Sequence, residues 1–289
     1  MELNKVLHLL YIDRKEDSIK NDFGKGLIIG GSLNYPNSVI LASEFATISG
    51  NGYTSLAVCK SIYPSIISRC HPSCIYEISE SDESISFSNE KKLEIIKKYN
   101  AILFGNGVIE SKENRELLIY LLNNYEGNLI IDATGLTILS KLYIDHFKPK
   151  VLLTPHLGEA KKLFKVSLPS RNIDDYLNYA KEYCLKHHCS ILLKSYQSVL
   201  IDESGKITKC DYLPTPSLAK AGSGDGLAGY LLGLLSYADK IIDYNDVIIF
   251  ADTLIHKAAK KAEEKFSSGI SNILFAKDEI INLIQEELN

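Results

Sequence analysis

Short runs that are apolar at every position return along this chain, separated by segments with helical spacing, and this alternation restricts the fold more than any other property. A run with no polar position has no face to turn to water, so it reads as a strand buried on both sides of a parallel sheet. Residues 26–30, 101–104 and 129–131 have this character throughout, and 54–58 and 151–154 have it apart from Thr54, Ser55 and Thr154. Residues 37–50, 90–99, 113–123 and 173–187 carry the helical period instead. The runs 190–194, 198–201 and 207–211 lie close together, with Glu203-Ser204-Gly205 as a turn between the last two, and so predict hairpin-linked strands. Helices are predicted over 224–235, 245–266 and 276–287. The expected fold is α/β: three layers, α/β/α, around a mainly parallel central sheet that ends in an antiparallel edge. No repeat, low-complexity tract or linker divides the sequence, so residues 1–289 are expected to form a single domain, with the polar stretch 79–89 as its mobile loop.

Composition removes several function classes. With 45% hydrophobic residues, 24% charged residues and a formal net charge of −4, the chain lacks the clustered cations that nucleic acid or an anionic membrane surface requires. Residues 1–10 interleave apolar and polar side chains and form neither a signal peptide nor a membrane span, so a cytoplasmic protein is expected. The six cysteines include no Cys-x-x-Cys pair and read as reduced thiols. Cys70-His71-x-x-Cys74 offers three zinc-type ligands but no fourth at suitable spacing, and no metal site is assigned.

The most informative segment is Ala219-Lys220-Ala221-Gly222-Ser223-Gly224-Asp225-Gly226, directly before the apolar run 227–235. Backbone N–H groups at a helix start lack intrahelical partners and carry partial positive charge, so a glycine-rich start can hold phosphate oxygens. A carboxylate there, Asp225, can accept the proton of a hydroxyl that attacks a phosphate. The spacing matches neither a P-loop nor a dinucleotide fingerprint. Two structural alternatives stand beside this: Asp225 as a helix N-cap, and Gly226, Gly229 and Gly233 as a packing face. Thr154-Pro155-His156-Leu157-Gly158-Glu159 leaves another buried run at the strand's carboxyl end, where ligands bind in open α/β sheets, or else simply starts a helix. Asp132 ends a strand and can organise a metal or phosphate, or cap a helix.

Residues 24–32, Gly105-Asn106-Gly107, Ile131-Asp132-Ala133, Leu153-Thr154-Pro155-His156, Leu192-Leu193-Lys194 and 219–225 occur in one order. In this the chain resembles the ADP-dependent NAD(P)H-hydrate dehydratases, a group with a ribokinase-like fold, from about Arg14 to at least Leu235. The resemblance implies repair of hydrated NADH and NADPH, with ADP or ATP as co-substrate and Mg²⁺ to screen its phosphates. It implies that Ser38, Gly107, His156 and Asp225 contact the hydrate, with Asp225 catalytic. It further implies that Lys194, Ser195, Tyr196, Gln197, Ser198, Gly222, Ser223 and Gly224 contact the nucleotide, and that the protein is a homo-oligomer, commonly a tetramer in relatives. Ile280, Ile281 and Ile284 offer either an oligomer face or ordinary packing. The sequence departs from the family pattern at Asn37 (glycine), Ser38 (alanine), Asn106 (proline), Ser195 (glycine) and Ala221 (glycine). Two rival functions share the glycine loop and Asp225: an ATP-dependent kinase of a small hydroxylated vitamin precursor, and a non-catalytic nucleotide-binding protein. The segment 32–38, Gly107 and His156 favour the dehydratase.

Overall fold

The computed structural model describes residues 3–167 and 171–286. Nine strands form one sheet: β1 (Lys25–Ile29), β2 (Tyr53–Val58), β3 (Ile75–Ile78), β4 (Ala101–Phe104), β5 (Asn128–Ile131), β6 (Lys150–Leu153), β7 (Ser190–Leu193), β8 (Val199–Ile201) and β9 (Ile207–Lys209). Their spatial order is β3-β2-β1-β4-β5-β6-β7-β8-β9. The pairs from β3 through β7 are parallel, and the last two, β7–β8 and β8–β9, are antiparallel. The helices are α1 (Leu3–Leu7), α2 (Pro36–Ile48), α3 (Tyr63–Ile66), α4 (Asn89–Lys98), α5 (Lys112–Asn124), α6 (Thr134–Leu139), α7 (Leu157–Phe164), α8 (Leu177–His187), α9 (Ser223–Leu235), α10 (Tyr244–Ile270) and α11 (Ile273–Glu286).

Alternation within each apolar strand sorts its side chains onto two cores. Ile28, Leu56, Leu103, Ile130, Leu152 and Leu192 face α2, α9, α10 and α11. Their neighbours Leu27, Ile29, Ile102, Phe104, Leu129, Ile131, Leu153 and Leu193 face α4, α5, α6, α7 and α8. This is the expected three-layer arrangement. The glycine face of α9 is indeed used for packing. A Cβ on Gly229 would lie 2.1 Å from the Ala42 carbonyl oxygen, and one on Gly233 2.7 Å from that of Ala46, so α9 and α2 approach at backbone distance. Ile280 is buried and Ile284 packs on the same core, leaving Ile281 exposed, so intramolecular packing accounts for two of the three C-terminal isoleucines.

Two expectations change. Strand β3 was not foreseen: it is a four-residue edge strand in which Ile75 and Ile78 are exposed and the buried side chain is that of Glu77. The stretch 79–88 is tied down rather than loose. Ser79 is buried, its hydroxyl donates to Ser84 O and accepts from Ser81 N and Ser86 N, and Ile85 and Phe87 enter the second core. Helix α11 starts three residues before the expected 276, and residue 287 lies outside the described residues. The expected end of the preceding helix near 266 coincides with a break in helical geometry at Ser267 (φ 66°). All six cysteines are free thiols, and no cluster of metal-binding side chains occurs among the described residues.

Strand β1 lies between β2 and β4, so the chain leaves β1 toward one edge and returns to its other side at β4. Such a switch point opens a crevice at the carboxyl ends of the strands. The Gly31 N–H donates to the Asn106 carbonyl across that crevice at 2.8 Å.

Candidate active site

Loops leaving β4, β5, β6 and β7 and the start of α9 converge in five polar side chains: Asn106, Asp132, Thr154, Lys194 and Asp225. Asp132, one residue past β5 and buried, accepts from Lys194 Nζ at 2.8 Å and from Thr154 Oγ1 at 2.8 Å on Oδ1. Its Oδ2 accepts from Asn106 Nδ2 at 3.1 Å, and the same Nδ2 donates to Asp225 Oδ1 at 2.6 Å. Asp132 is therefore a hub and not a helix cap: the N-cap of α6 is Ala133, and the helix has no side-chain cap bond. Ala133 has φ 50° and ψ −125°, a conformation that costs a residue bearing a Cβ, and it turns the chain sharply just after Asp132.

Asp225 is the third residue of α9. The residue capping that helix is Gly222 (φ 94°), with no side-chain cap bond, so the capping role considered for Asp225 does not apply. Burial pushes its carboxyl up to about 6, aided by the charge of Asp132 and opposed by the Asn106 amide, the Ser38 hydroxyl and the Lys194 ammonium. Burial works against the Lys194 ammonium as well, but Asp132, Glu159 and Asp225 outweigh it and hold its pKa above the ordinary lysine value. The amides of Gly224 and Asp225 have no carbonyl one turn back within α9, so they present donors beside this carboxylate. A Cβ on Gly224 would sit 3.4 Å from Lys194 Nζ and 3.8 Å from Asp132 Oδ2, which places the glycine's open side against the charged cluster.

Two sides of the site can be distinguished. On one, Gly107 (φ 73°) brings the β4 loop against α2; a Cβ there would lie 2.7 Å from Tyr35 O and 3.1 Å from Ser38 Cβ. A glycine is required at that contact both for its positive φ and for space. On the other, a cavity of about 670 Å³ is lined by His156, Lys194, Ser195, Tyr196, Ser198, Ser223 and Gly224, with Pro214, Pro216, Leu218, Leu227 and Ile255 forming an apolar slot. His156 and Lys194 lie side by side where the β6–β7 pairing continues past both strands. The His156 ring is the N-cap of α7: its Nδ1 accepts from Gly158 N at 2.9 Å and Glu159 N at 3.2 Å, while Glu159 Oε2 accepts from His156 N. With Nδ1 accepting, the proton of the neutral ring is on Nε2.

Residues 26–281 match the family described as NAD(P)H-hydrate dehydratase. The chain belongs to that family. The bifunctional NAD(P)H-hydrate repair enzyme Nnr of Thermofilum pendens is 29% identical over 90% of this chain, and the match takes in 50% of that longer enzyme, so the chain spans about half its length. The ADP-dependent (S)-NAD(P)H-hydrate dehydratase of Staphylococcus aureus is 28% identical over 79% of this chain and 78% of the relative. A ribokinase-like superfamily protein of Enterococcus faecalis V583 superposes with a TM-score of 0.82 at 20% identity, covering 98% of this chain and 94% of its own. The ADP/ATP-dependent NAD(P)H-hydrate dehydratase of Bacillus subtilis, co-crystallised with ATP/Mg²⁺, gives 0.79 at 23% identity, with coverage of 98% and 97%. The fold is ribokinase-like.

Within this family frame, two of the departures, Ser195 and Asn106, have simple local accommodations. Ser195 is not among the residues with positive φ, and its hydroxyl closes its own loop, accepting from Gln197 N and donating to Gln197 O. Asn106 supplies two N–H bonds that a proline there would lack. Among the positions read as nucleotide contacts, Gln197 and Gly222 do not line the cavity. The Gln197 side chain donates instead to Cys210 O, and Gly222 forms the turn into α9. The rear wall escaped the sequence reading. Asp252 and His256, one turn apart on α10, line the cavity together with Thr215, whose hydroxyl bonds His256 Nδ1. The His256 ring stacks on Tyr212 with centroids 3.8 Å apart. Polar side chains buried inside the apolar run of α10 were the available signal.

Proposed function

We propose that this chain carries out the ADP-dependent removal of water from (S)-hydrated NADH and NADPH, with Asp225 as general base. The observation that carries this reading is the position of Asp225: a half-buried carboxylate with a pKa raised to about 6 on the same helical turn as free backbone donors, between the Ser38–Gly107 side and the cavity. A hydroxyl arriving from one side and a terminal phosphoryl from the other would meet there. The apolar slot suits a purine, and Lys194, Ser195, Ser223 and Gly224 suit its phosphates. Ser38 and Gly107 would contact the hydrate from their side; His156 lines the cavity, with its Nε2 3.5 Å from Glu159 Oε1, so it would reach the hydrate from the nucleotide side.

The hydroxyl on the hydrated ring is a poor leaving group, and phosphorylation makes it a good one. Its oxygen bonds the terminal phosphorus of ADP, the bond to the AMP oxygen breaks, and Asp225 takes the hydroxyl proton. The ring nitrogen's lone pair then expels phosphate, and loss of a proton from the adjacent ring carbon restores the dihydronicotinamide. Donors at Gly224 and Asp225, with Lys194, stabilise charge on the phosphoryl oxygens. The residues present do not form a protein-held Mg²⁺ site, since both Asp132 oxygens are engaged by Lys194, Thr154 and Asn106. Mg²⁺ would travel with the nucleotide, as it commonly does, and no step here runs through it. A cytoplasmic homo-oligomer with residues 1–289 as one domain accords with this reading; among the described residues no helix is long and apolar enough to cross a membrane.

The test is to mix the protein with hydrated NADH, Mg²⁺ and either ADP or ATP, and to follow the return of reduced-nicotinamide absorbance. Recovery with ADP is expected. No recovery with either nucleotide would refute the reading.

A further inference from the structure

We propose that Asn106 is a positioning residue that holds the Asp225 carboxylate in place by tying it to Asp132. This rests on the function proposed above, but the geometry is independent of it. Both hydrogens of the Asn106 amide are in use, one on Asp225 Oδ1 at 2.6 Å and one on Asp132 Oδ2 at 3.1 Å. The orientation of the amide is not arbitrary: turned over, it would set its carbonyl oxygen between two carboxylates. The cost is visible on the other atom, since Oδ1 of Asn106 is buried with no hydrogen-bond partner. A fold that leaves a buried acceptor unpaired to keep two charge-directed donor bonds has committed this side chain to the carboxylates.

The remaining groups around Asp225 show what the amide does. Asp132 approaches from the end of β5, Lys194 from the end of β7 and the Ser38 hydroxyl from α2, with Glu159 of α7 acting on Lys194. Lys194 Nζ bonds Asp132 Oδ1 rather than Asp225, so the single cation here is directed mainly at the other carboxylate. Asn106 thus bonds Asp225 directly, with the Ser38 hydroxyl as a second and weaker influence, while spacing it from Asp132. By occupying Oδ1 it leaves proton acceptance to the second carboxylate oxygen. Removing it would make the ionised form of Asp225 harder to reach and let the carboxylate turn, without touching the nucleotide cavity, which Asn106 does not line.

The test compares wild type with Asn106→Ala and Asn106→Gln. Two readouts are used: the pH profile of kcat with KM for ADP, and a carboxyl ¹³C NMR titration of Asp225, assigned with Asp225→Asn. For Asn106→Ala we expect the Asp225 titration and the acid limb of kcat to move up by about one pH unit. KM for ADP should stay within about twofold, and Asn106→Gln should restore part of the shift. An Asp225 titration in Asn106→Ala that coincides with wild type overturns the proposal. If wild type does not restore NADH at all, the dehydratase reading fails while the NMR titration still decides the role of Asn106. Should Asn106→Ala not fold, Asn106→Ser is titrated in its place, with the same expected and refuting results.

Discussion

Asp225→Asn removes a charge that the fold holds against its own stability. The Asp225 carboxyl moves from an ordinary value of 3.8 to about 6, mainly because burial disfavours the ionised form, and with Asp132 adding to the effect. Two pH units at about 1.4 kcal/mol each set the cost of ionising it in the folded state at about 3 kcal/mol. The sign follows from proton binding. Between about pH 4 and 6 the folded protein holds this proton and the unfolded chain does not, so this contribution is present at low pH and is lost as the pH rises through 6. The replacing amide keeps nearly the same shape and can still accept from Asn106 Nδ2 but cannot ionise. The variant should therefore match wild type below about pH 4 and exceed it by about 1–3 kcal/mol above pH 7. Urea denaturation of both proteins from pH 4 to 8, alongside NADH-return assays, is the measurement. Turnover should be nearly abolished while ADP still binds. Stability curves that run parallel across the whole pH range would refute the electrostatic account, and normal turnover would remove Asp225 as the base.

Gly224→Ala should leave stability within about 1 kcal/mol, since the new methyl meets Lys194 Nζ at an ordinary 3.4 Å, yet weaken ADP at least about tenfold by crowding the phosphate cradle; calorimetric titration with unchanged ADP affinity would contradict it. His156→Ala loses an N-cap and should cost about 1 kcal/mol, whereas His156→Asn keeps a capping acceptor. Both should raise KM for the hydrate, and an unchanged KM in both would remove His156 from the hydrate's contacts.

Much of this fold was legible because its strands are buried on both faces. Runs such as Ala101–Phe104 and Leu129–Ile131 have nothing polar to confuse the period, and the closely spaced strands after α8 announced the antiparallel edge. Strand β3 was not legible, because it has only four residues, exposes both of its isoleucines and buries a glutamate, so neither the apolar-run nor the alternating pattern appears. The loop 79–88 misled for a related reason: its serines look solvated in sequence but bond one another and the backbone. For the site, the glycine-rich helix start and the strand-end motifs located Asp225, Lys194 and His156. The hub role of Asp132 depends on three partners 22 to 62 residues away in sequence, which spacing cannot reveal. Asp252 and His256 were hidden because a long helix packed on a sheet normally reads as core.

In the proposed function, phosphate transfer from the nucleotide drives loss of water from the hydrate at Asp225. The most direct measurement follows hydrated NADH, ADP and Mg²⁺ with wild type by ³¹P NMR while absorbance reports NADH. One AMP and one inorganic phosphate are expected for each NADH restored, with no NADH returned when nucleotide is omitted. Restoration of NADH without nucleotide breakdown, or nucleotide breakdown that yields a stable phosphorylated product and no NADH, would contradict it.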